Sequence, residues 1–512
     1  MTHSSYLADI HQTLPRILGL FDTNPISAMR GVGDRYRWAW KGSDFANGTF
    51  QGAVHGLALL VVNGMLPEGM NEASILHRIH DALDGIRRIT RNNGSLDEIL
   101  PMESSYCVTA LVAFDALCAL DILAGRISDA ERIRHHATVA PLIGFLVRAR
   151  ETHGIITNHL AVAAAALTRW HKMTGEDVIA ARDDVLRVIT RHYNAEGWFC
   201  EYEGADPGYQ TLALDYLADM DAQAPELGLA SSLFKTCEFL GYCAHPDGSF
   251  GGLYGSRNTR FLYPAGIGML ARQSPHAAAL ASFAGKAHQD KTVVGLAAMD
   301  DSNLVPMFNS FCRAAALAQQ QAVPAPLPYE GNDFYKEFPE AGLIVVKQAE
   351  TYSIVNWRKS VLSHFSPGRA ILDGGACARN PKNTWYTSQM GRDVTRLIHA
   401  DAQQVVIEAP MIRYHVSYPA PVQMVVLRIL CLSVMRIAPL NAWVKKILVR
   451  LLISRRAVSG HVIRRTITLH PEVAIRDEWI SNPGRLTLER PFQYFQATHM
   501  ASQGYWQRGD DA

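Results

Sequence analysis

Among 512 residues there is no CxxC pair, and the eight cysteines (Cys107, Cys118, Cys200, Cys237, Cys243, Cys312, Cys377 and Cys431) are scattered, mostly through apolar stretches. That spacing argues against a zinc site or a disulfide framework and for buried thiols in a reducing compartment, so neither metal nor cofactor is expected. There is no Walker loop, no GxGxxG after a strand, no HExxH and no GxSxG. Nucleotide hydrolysis, dinucleotide chemistry and the commoner hydrolase routes lose their usual signals. Charge of one sign is lacking too: at a net +1 no overall field draws in nucleic acid, which is not expected as a partner. The first ten residues have no basic segment leading into an apolar core, so no secretory signal is read and a cytoplasmic location is expected.

What is present suits a packed chain of more than one domain, with 48% hydrophobic and 19% charged residues. Ser104 to Leu123, Asn158 to Lys172 and Tyr209 to Met220 carry Ala, Leu and Val at helical spacing. The connections resemble one another: Asn93-Gly94-Ser95-Leu96, His153-Gly154-Ile155-Ile156, Glu196-Gly197-Trp198-Phe199 and Asp247-Gly248-Ser249-Phe250. Their glycines recur at intervals of 60, 43 and 51 residues, about a helical hairpin plus its loop. Each hairpin needs neighbours to bury its apolar face, so the repeat predicts a closed toroid or an open solenoid, with the glycine loops on one rim. Ala315 to Pro328 reads as a linker, and beyond it Ala341 to Lys347, Tyr352 to Trp357, Gln403 to Ala409, His461 to Leu469 and Glu472 to Trp479 alternate like strands. The expected order is an aromatic and basic strap (1–50), an (α/α) toroid (51–320), a linker (321–340) and an antiparallel β-sandwich (341–512) with an amphipathic helical insertion at about 420–457.

Polar chemistry concentrates where the loops start helices: Asn92 to Glu98 with Pro101 to Tyr106, Thr157-Asn158-His159-Leu160, and Glu203 to Gln210. With the run from Glu340 to Val346 and the late strands around Arg464-Arg465-Thr466 and Asp477-Glu478, the chain resembles the heparinase II/III-like lyases of uronate polymers. The resemblance implies an α/α toroid plus β-sandwich and a carbon-oxygen lyase. It also implies that Asn158 neutralises the uronate carboxylate while Tyr209, helped by His159, moves protons. One departure is the family's later histidine, for which His364 lacks the usual surroundings.

Breaking a uronate glycoside by β-elimination means removing the weakly acidic C5 proton while the adjacent carboxylate gains charge. Asn158 and Arg257 can hold that carboxylate, His159 or Tyr209 can take the proton, and Tyr254 is a candidate acid for the leaving oxygen. Returning the proton to the opposite face would make a C5-epimerase from the same parts. Glu103, Tyr106, Asp206 and Asn258 are candidate substrate contacts, as are Arg35, Trp38 and Trp40 in the strap, which can stack on sugars or simply pack on the toroid. Two other readings stay open: a glycan-binding or assembly protein of an exopolysaccharide pathway that has lost the reaction, and a glycoside hydrolase using carboxylates among Asp97, Glu98, Glu103, Glu203 and Asp206. From Ala409 to Pro471 there is no acid but ten basic residues, and Leu440, Trp443, Val444, Ile447, Leu448 and Leu451 share a helical face. Val422 to Ile437 is apolar but too short to span a bilayer. The segment predicts a hairpin lying on an anionic membrane, with Trp443 in the acyl boundary and Arg428, Arg436, Lys445, Lys446 and Arg450 at headgroups. Packing on the toroid, or a dimer interface, is the alternative. The expected substrate is a uronate-containing polysaccharide or a lipid-linked glycan met at the inner face of the cell membrane.

Overall fold

The computed structural model describes residues 2–152, 154–317, 322–391, 393–415, 418–437, 440–441, 443–444 and 458–489. Helices α1 (Thr2–Gly19) and α2 (Arg35–Trp38) are followed by α3 (Val54–Val62), α4 (Glu72–Ile89), α5 (Tyr106–Ile122), α6 (Asp129–Arg148), α7 (Thr157–Thr174) and α8 (Ile179–Arg191). After a hairpin of β1 (Tyr193–Asn194) and β2 (Trp198–Phe199) come α9 (Pro207–Gln223), α10 (Ala230–Gly241), α11 (Pro264–Leu270), α12 (Pro275–Gln289) and α13 (Asp301–Ala316).

Six helices form a closed inner ring: α3 packs on α5, α5 on α7, α7 on α9, α9 on α11, α11 on α13, and α13 returns to α3. The ring is a toroid rather than an open solenoid. Inner helices are enclosed on nearly every side, which is why α5 and α7 are rich in small and apolar residues all round; α4 and α8 bury one face only. The N-terminus differs from the strap expected over 1–50. Tyr6, Ile10, Leu14 and Ile17 are buried along one face of α1, which packs on α12 and α13 as an outer helix. Pro15 inside that helix masks the pattern in the sequence. The ring's centre is polar: Arg169 forks onto Asp219, Arg313 donates to the Asp215 carbonyl, and His55 Nδ1 lies 2.9 Å from Asp115.

Two antiparallel sheets follow. One runs in order β3 (Phe334–Phe338), β4 (Leu343–Gln348), β5 (Thr351–Asn356), β6 (Val361–Ser366) and β7 (Arg369–Asp373). Its first strand begins inside the stretch read as linker. The other contains β8 (Cys377–Arg379), β9 (Trp385–Thr387), β10 (Arg396–Ala400), β11 (Gln404–Tyr414), β12 (Val458–Thr468), β13 (Ala474–Ser481) and β14 (Thr487–Glu489), in order β13-β12-β11-β9-β8-β14 with β10 beside β11. Between β11 and β12 lies helix α14 (Pro421–Leu432). Ile344, Val346, Val355 and Leu362 face Val405, Ile407, Ile463 and Ile467 across the sandwich, while Leu343, Val345, Tyr352 and Ile354 join the helical core. The first sheet is thus buried on both faces and fastens the sandwich to the toroid.

Candidate active site at the toroid rim

Each repeat glycine sits where the chain returns from an outer helix to an inner one, and all four have positive φ, so the N-termini of α5, α7 and α9 open on one rim. At Gly94 a side chain would in addition meet the Pro141 carbonyl at 2.1 Å.

Asn158, the second residue of α7, is buried there; its Nδ2 donates to Glu201 Oε1, and its backbone N–H lies 3.4 Å from Oε2. Glu201 is fully buried, and desolvation pushes its carboxyl up to about 8, against the pull of the Asn158 bonds, with Asp206 adding to the rise. It is largely protonated at neutral pH. On the next turn-facing position, His159 Nδ1 lies 2.7 Å from Glu151 Oε2.

Asp206 caps α9. Its oxygens accept from the N–H groups of Tyr209, Arg257 (2.8 Å) and Thr259 and from the Thr259 hydroxyl. One buried carboxylate therefore ties the start of α9 to the 253–259 loop and brings Tyr209 and Arg257 together. The Arg257 guanidinium stacks 4.1 Å over the Tyr202 ring. Tyr202 has a φ of 61°, rare for a bulky side chain, and its N–H donates to the Ile155 carbonyl, joining this loop to the one before α7. Burial pushes the Tyr202 phenol up to about 12 despite the opposing Arg257 charge, and burial raises Tyr209, which packs edge-on against Phe261. Asn158, His159, Tyr209 and Arg257 thus share one corner of the rim, with Glu151, Glu201 and Tyr202 between them.

Several expected contacts have other roles. Tyr254 is enclosed, 1% exposed, with its hydroxyl 2.7 Å from His245 Nε2 and bonded to the Cys243 carbonyl, so it has no access to a leaving oxygen. Asp206 is a structural cap, not a substrate ligand, because each oxygen is taken by the chain. Asn258 is buried, and its Oδ1 accepts from Lys359 Nζ, which also donates to the carbonyls of Leu253 (2.6 Å) and Gly255 (2.7 Å). Glu103 gathers three successive amides, those of Glu98, Ile99 and Leu100. Asp97 likewise accepts from Met102 and Ser104 N–H. Those roles leave fewer carboxylates for a hydrolase pair. Tyr106 is buried, and its hydroxyl has no partner among the described residues. His364 sits within β6, buried, bonded to Ser353 Oγ and pushed down to about 4 by desolvation, so it is not part of the corner. In the strap, Trp38 Nε1 donates to the Leu20 carbonyl and Arg35 reaches the Gly19 carbonyl, so the strap packs on the toroid; Trp40 stays exposed. His153 lies outside the described residues, and among those described no three His, Cys, Asp or Glu side chains gather as a metal would need.

The insertion docks beside this rim. Cys431, Met435 and Val444 pack with Leu100 and Met102, Asn441 Nδ2 donates to the Met102 carbonyl, and Arg428 pairs with Asp44 at 2.5 Å over the Phe45 ring. Arg428 is thus held by the segment before α3, and Val444, expected on the open face, is turned inward. Val422 (72% exposed), Val425, Ile429 (60%), Ile437 and Trp443 (62%) face away, and Arg436 is exposed. Lys445, Lys446 and Arg450 lie outside the described residues. No helix among the described residues is long and apolar enough to cross a membrane.

Glu151, Glu201, Tyr202 and Lys359 did not stand out in the sequence. The available signal was the placement of Glu201 and Tyr202 in the same loop as Asp206, but nothing local marks Glu201 as buried.

No protein-family model matches this sequence, and no curated protein matches it. Solved structures similar to it include a chondroitin AC lyase from Streptomyces coelicolor A3 in complex with chondroitin sulphate, 12% identical, covering 80% of this chain and 66% of that one at a TM-score of 0.46. Heparinase III is 11% identical over 93% of this chain and 78% of its own at 0.44. A glycosyl hydrolase family 88 protein from Bacteroides vulgatus is 11% identical over 62% and 98% at 0.41.

Proposed function

We propose that this rim is the active site of a carbon-oxygen lyase for uronate-containing glycan. The observation that carries the reading is a carboxylate-anchored imidazole, His159 on Glu151, sharing a corner with a stacked guanidinium, Arg257 on Tyr202. Arg257 favours a bound carboxylate, and it favours it more as charge moves onto it from C5. Asn158 stands beside that position with its amide backed by a protonated Glu201. His159 takes the C5 proton. The Tyr202 and Tyr209 phenols, both raised by burial, stay protonated at neutral pH and so serve as donors, one to the leaving oxygen and the other to the developing charge.

The test is incubation with a panel of uronate polymers while following the ultraviolet absorbance of the unsaturated product. Solvent hydrogen entering C5 without cleavage identifies the epimerase instead. Polymer binding with neither outcome identifies a glycan-binding or assembly protein and ends the enzymatic reading.

The exposed apolar face of the insertion supports a second element of the proposal: a peripheral hold on an anionic membrane, so that the rim meets a lipid-linked glycan at the cytoplasmic face. Flotation with anionic liposomes at low salt tests it, and wild-type protein that stays at the bottom removes the membrane from the proposal.

A further inference from the structure

We propose that Glu151 is a positioning residue, holding the His159 imidazole in the tautomer that leaves Nε2 as the proton acceptor. This rests on the lyase reading above and deepens it. Glu151 comes from the loop after α6, eight positions ahead of His159 and across Gly154, so the pairing is made by the fold of the loop and not by a helical i, i+4 relation. Its two oxygens are committed in different directions: Oε2 lies 2.7 Å from His159 Nδ1, and Oε1 accepts the Thr152 N–H at 2.8 Å. The carboxylate is thereby fixed in rotation as well as in place.

Exposure sets the order of the pair. The Glu151 side chain is 2% exposed and that of His159 20%, so the carboxylate stands behind and the ring in front. An ordinary surface ion pair would leave both ends wet. Glu151 also lies close enough to Tyr106, Cys107 and Tyr202 for its charge to oppose their ionisation, which puts it in the wall of the same corner. An ionised carboxylate can only accept, so Nδ1 carries the hydrogen and the neutral ring presents its lone pair at Nε2. During elimination Nε2 takes the C5 proton, the C5–H electrons form the C4–C5 double bond, and the C4–O bond breaks onto oxygen. A phenol protonates that oxygen. The imidazolium, stabilised by Glu151, then returns a proton through water to the phenolate, so both groups are restored.

Glu151→Gln keeps the shape but can offer Nδ1 an amide N–H, which drives the ring to the Nε2–H tautomer and blocks the base. In ¹⁵N-histidine-labelled free protein, at a pH where the ring is neutral, the expected wild-type signal for His159 is the Nδ1–H tautomer, mixed or inverted in Glu151→Gln at an unchanged melting temperature. On the polymer that the wild type cleaves, kcat is expected to fall on the order of 10²-fold or more with KM nearly constant. A wild-type ring in the Nε2–H tautomer, or a Glu151→Gln enzyme with wild-type kcat, overturns the assignment. If the wild type cleaves no uronate polymer, the lyase reading fails, and the tautomer measurement still decides the positioning by itself.

Discussion

The rim and the insertion depart from the usual partition of polar and apolar groups in opposite directions. The rim buries Glu201, Asp206 and Lys359 and nearly buries Glu151, whereas the insertion leaves Val422, Ile429 and Trp443 in the open. Buried polar groups are costly unless partnered, and here they are partnered by specific amides, hydroxyls and an imidazole. The exposed hydrocarbon of the insertion has no such set of partners among the described residues. A hydrophobic contact gains from any apolar neighbour, so the insertion's face says little about geometry, while each buried carboxylate of the rim accepts only donors at defined positions.

Removing the proposed base should separate the two regions most sharply. His159→Gln is expected to lower turnover about 10²- to 10⁴-fold on the polymer that the wild type cleaves, leaving liposome flotation unchanged. A loss of flotation in that variant would show the regions to be one unit.

Glu201→Gln tests the cost of burying a carboxyl. Its folded value, about 8, lies above the ordinary 4.5, so the fold holds the proton more tightly than the unfolded chain does. The stability this lends is full below about pH 4.5 and is lost as pH rises towards 8. Glutamine does not titrate, so Glu201→Gln should gain on wild type across that window, by on the order of 4 kcal/mol at pH 8.5. Asp115 and Asp215, also raised by burial, slope alike in both proteins. Chemical denaturation at pH 5 and 8.5 reads the difference, and a gap that does not widen would mean that Glu201 is ionised in the fold.

Lys359→Met removes the ammonium that joins the Leu253 and Gly255 carbonyls to Asn258 Oδ1, and a loss of about 2–3 kcal/mol is expected in denaturant melts, together with weaker turnover because the Arg257 loop is loosened. Ile429→Glu with Trp443→Glu should change stability by no more than about 0.5 kcal/mol each, yet abolish flotation. Retained flotation would return the apolar face to a protein partner.

The helices of the rim were readable for local reasons. Ala, Leu and Val spacing placed α5, α7 and α9, and the repeated glycines marked the returns that put their N-termini together. Helix α1 was lost to Pro15, and the short strands β8, β9 and β14 have too few residues to show alternation. Asn158, His159, Tyr209 and Arg257 were readable as residue types suited to the proposed chemistry. Tyr254 and Asn258 looked equally suitable, since a tyrosine or asparagine next to a glycine has the same local signature whether it lines a cleft or lies beneath it.

By itself the sequence determined a helical half with glycine-marked returns, a strand-rich half and an acid-free insertion, because each is a property of neighbouring residues. Only the tertiary structure decided which polar side chains meet. Lys359 bonds carbonyls 106 and 104 residues away, Asn158 meets Glu201 across 43, and Arg428 meets Asp44 across 384. Burial, which raises Glu201 and encloses Tyr254, depends on elements distant in the chain closing over them. No residue's own surroundings in the sequence record that closure.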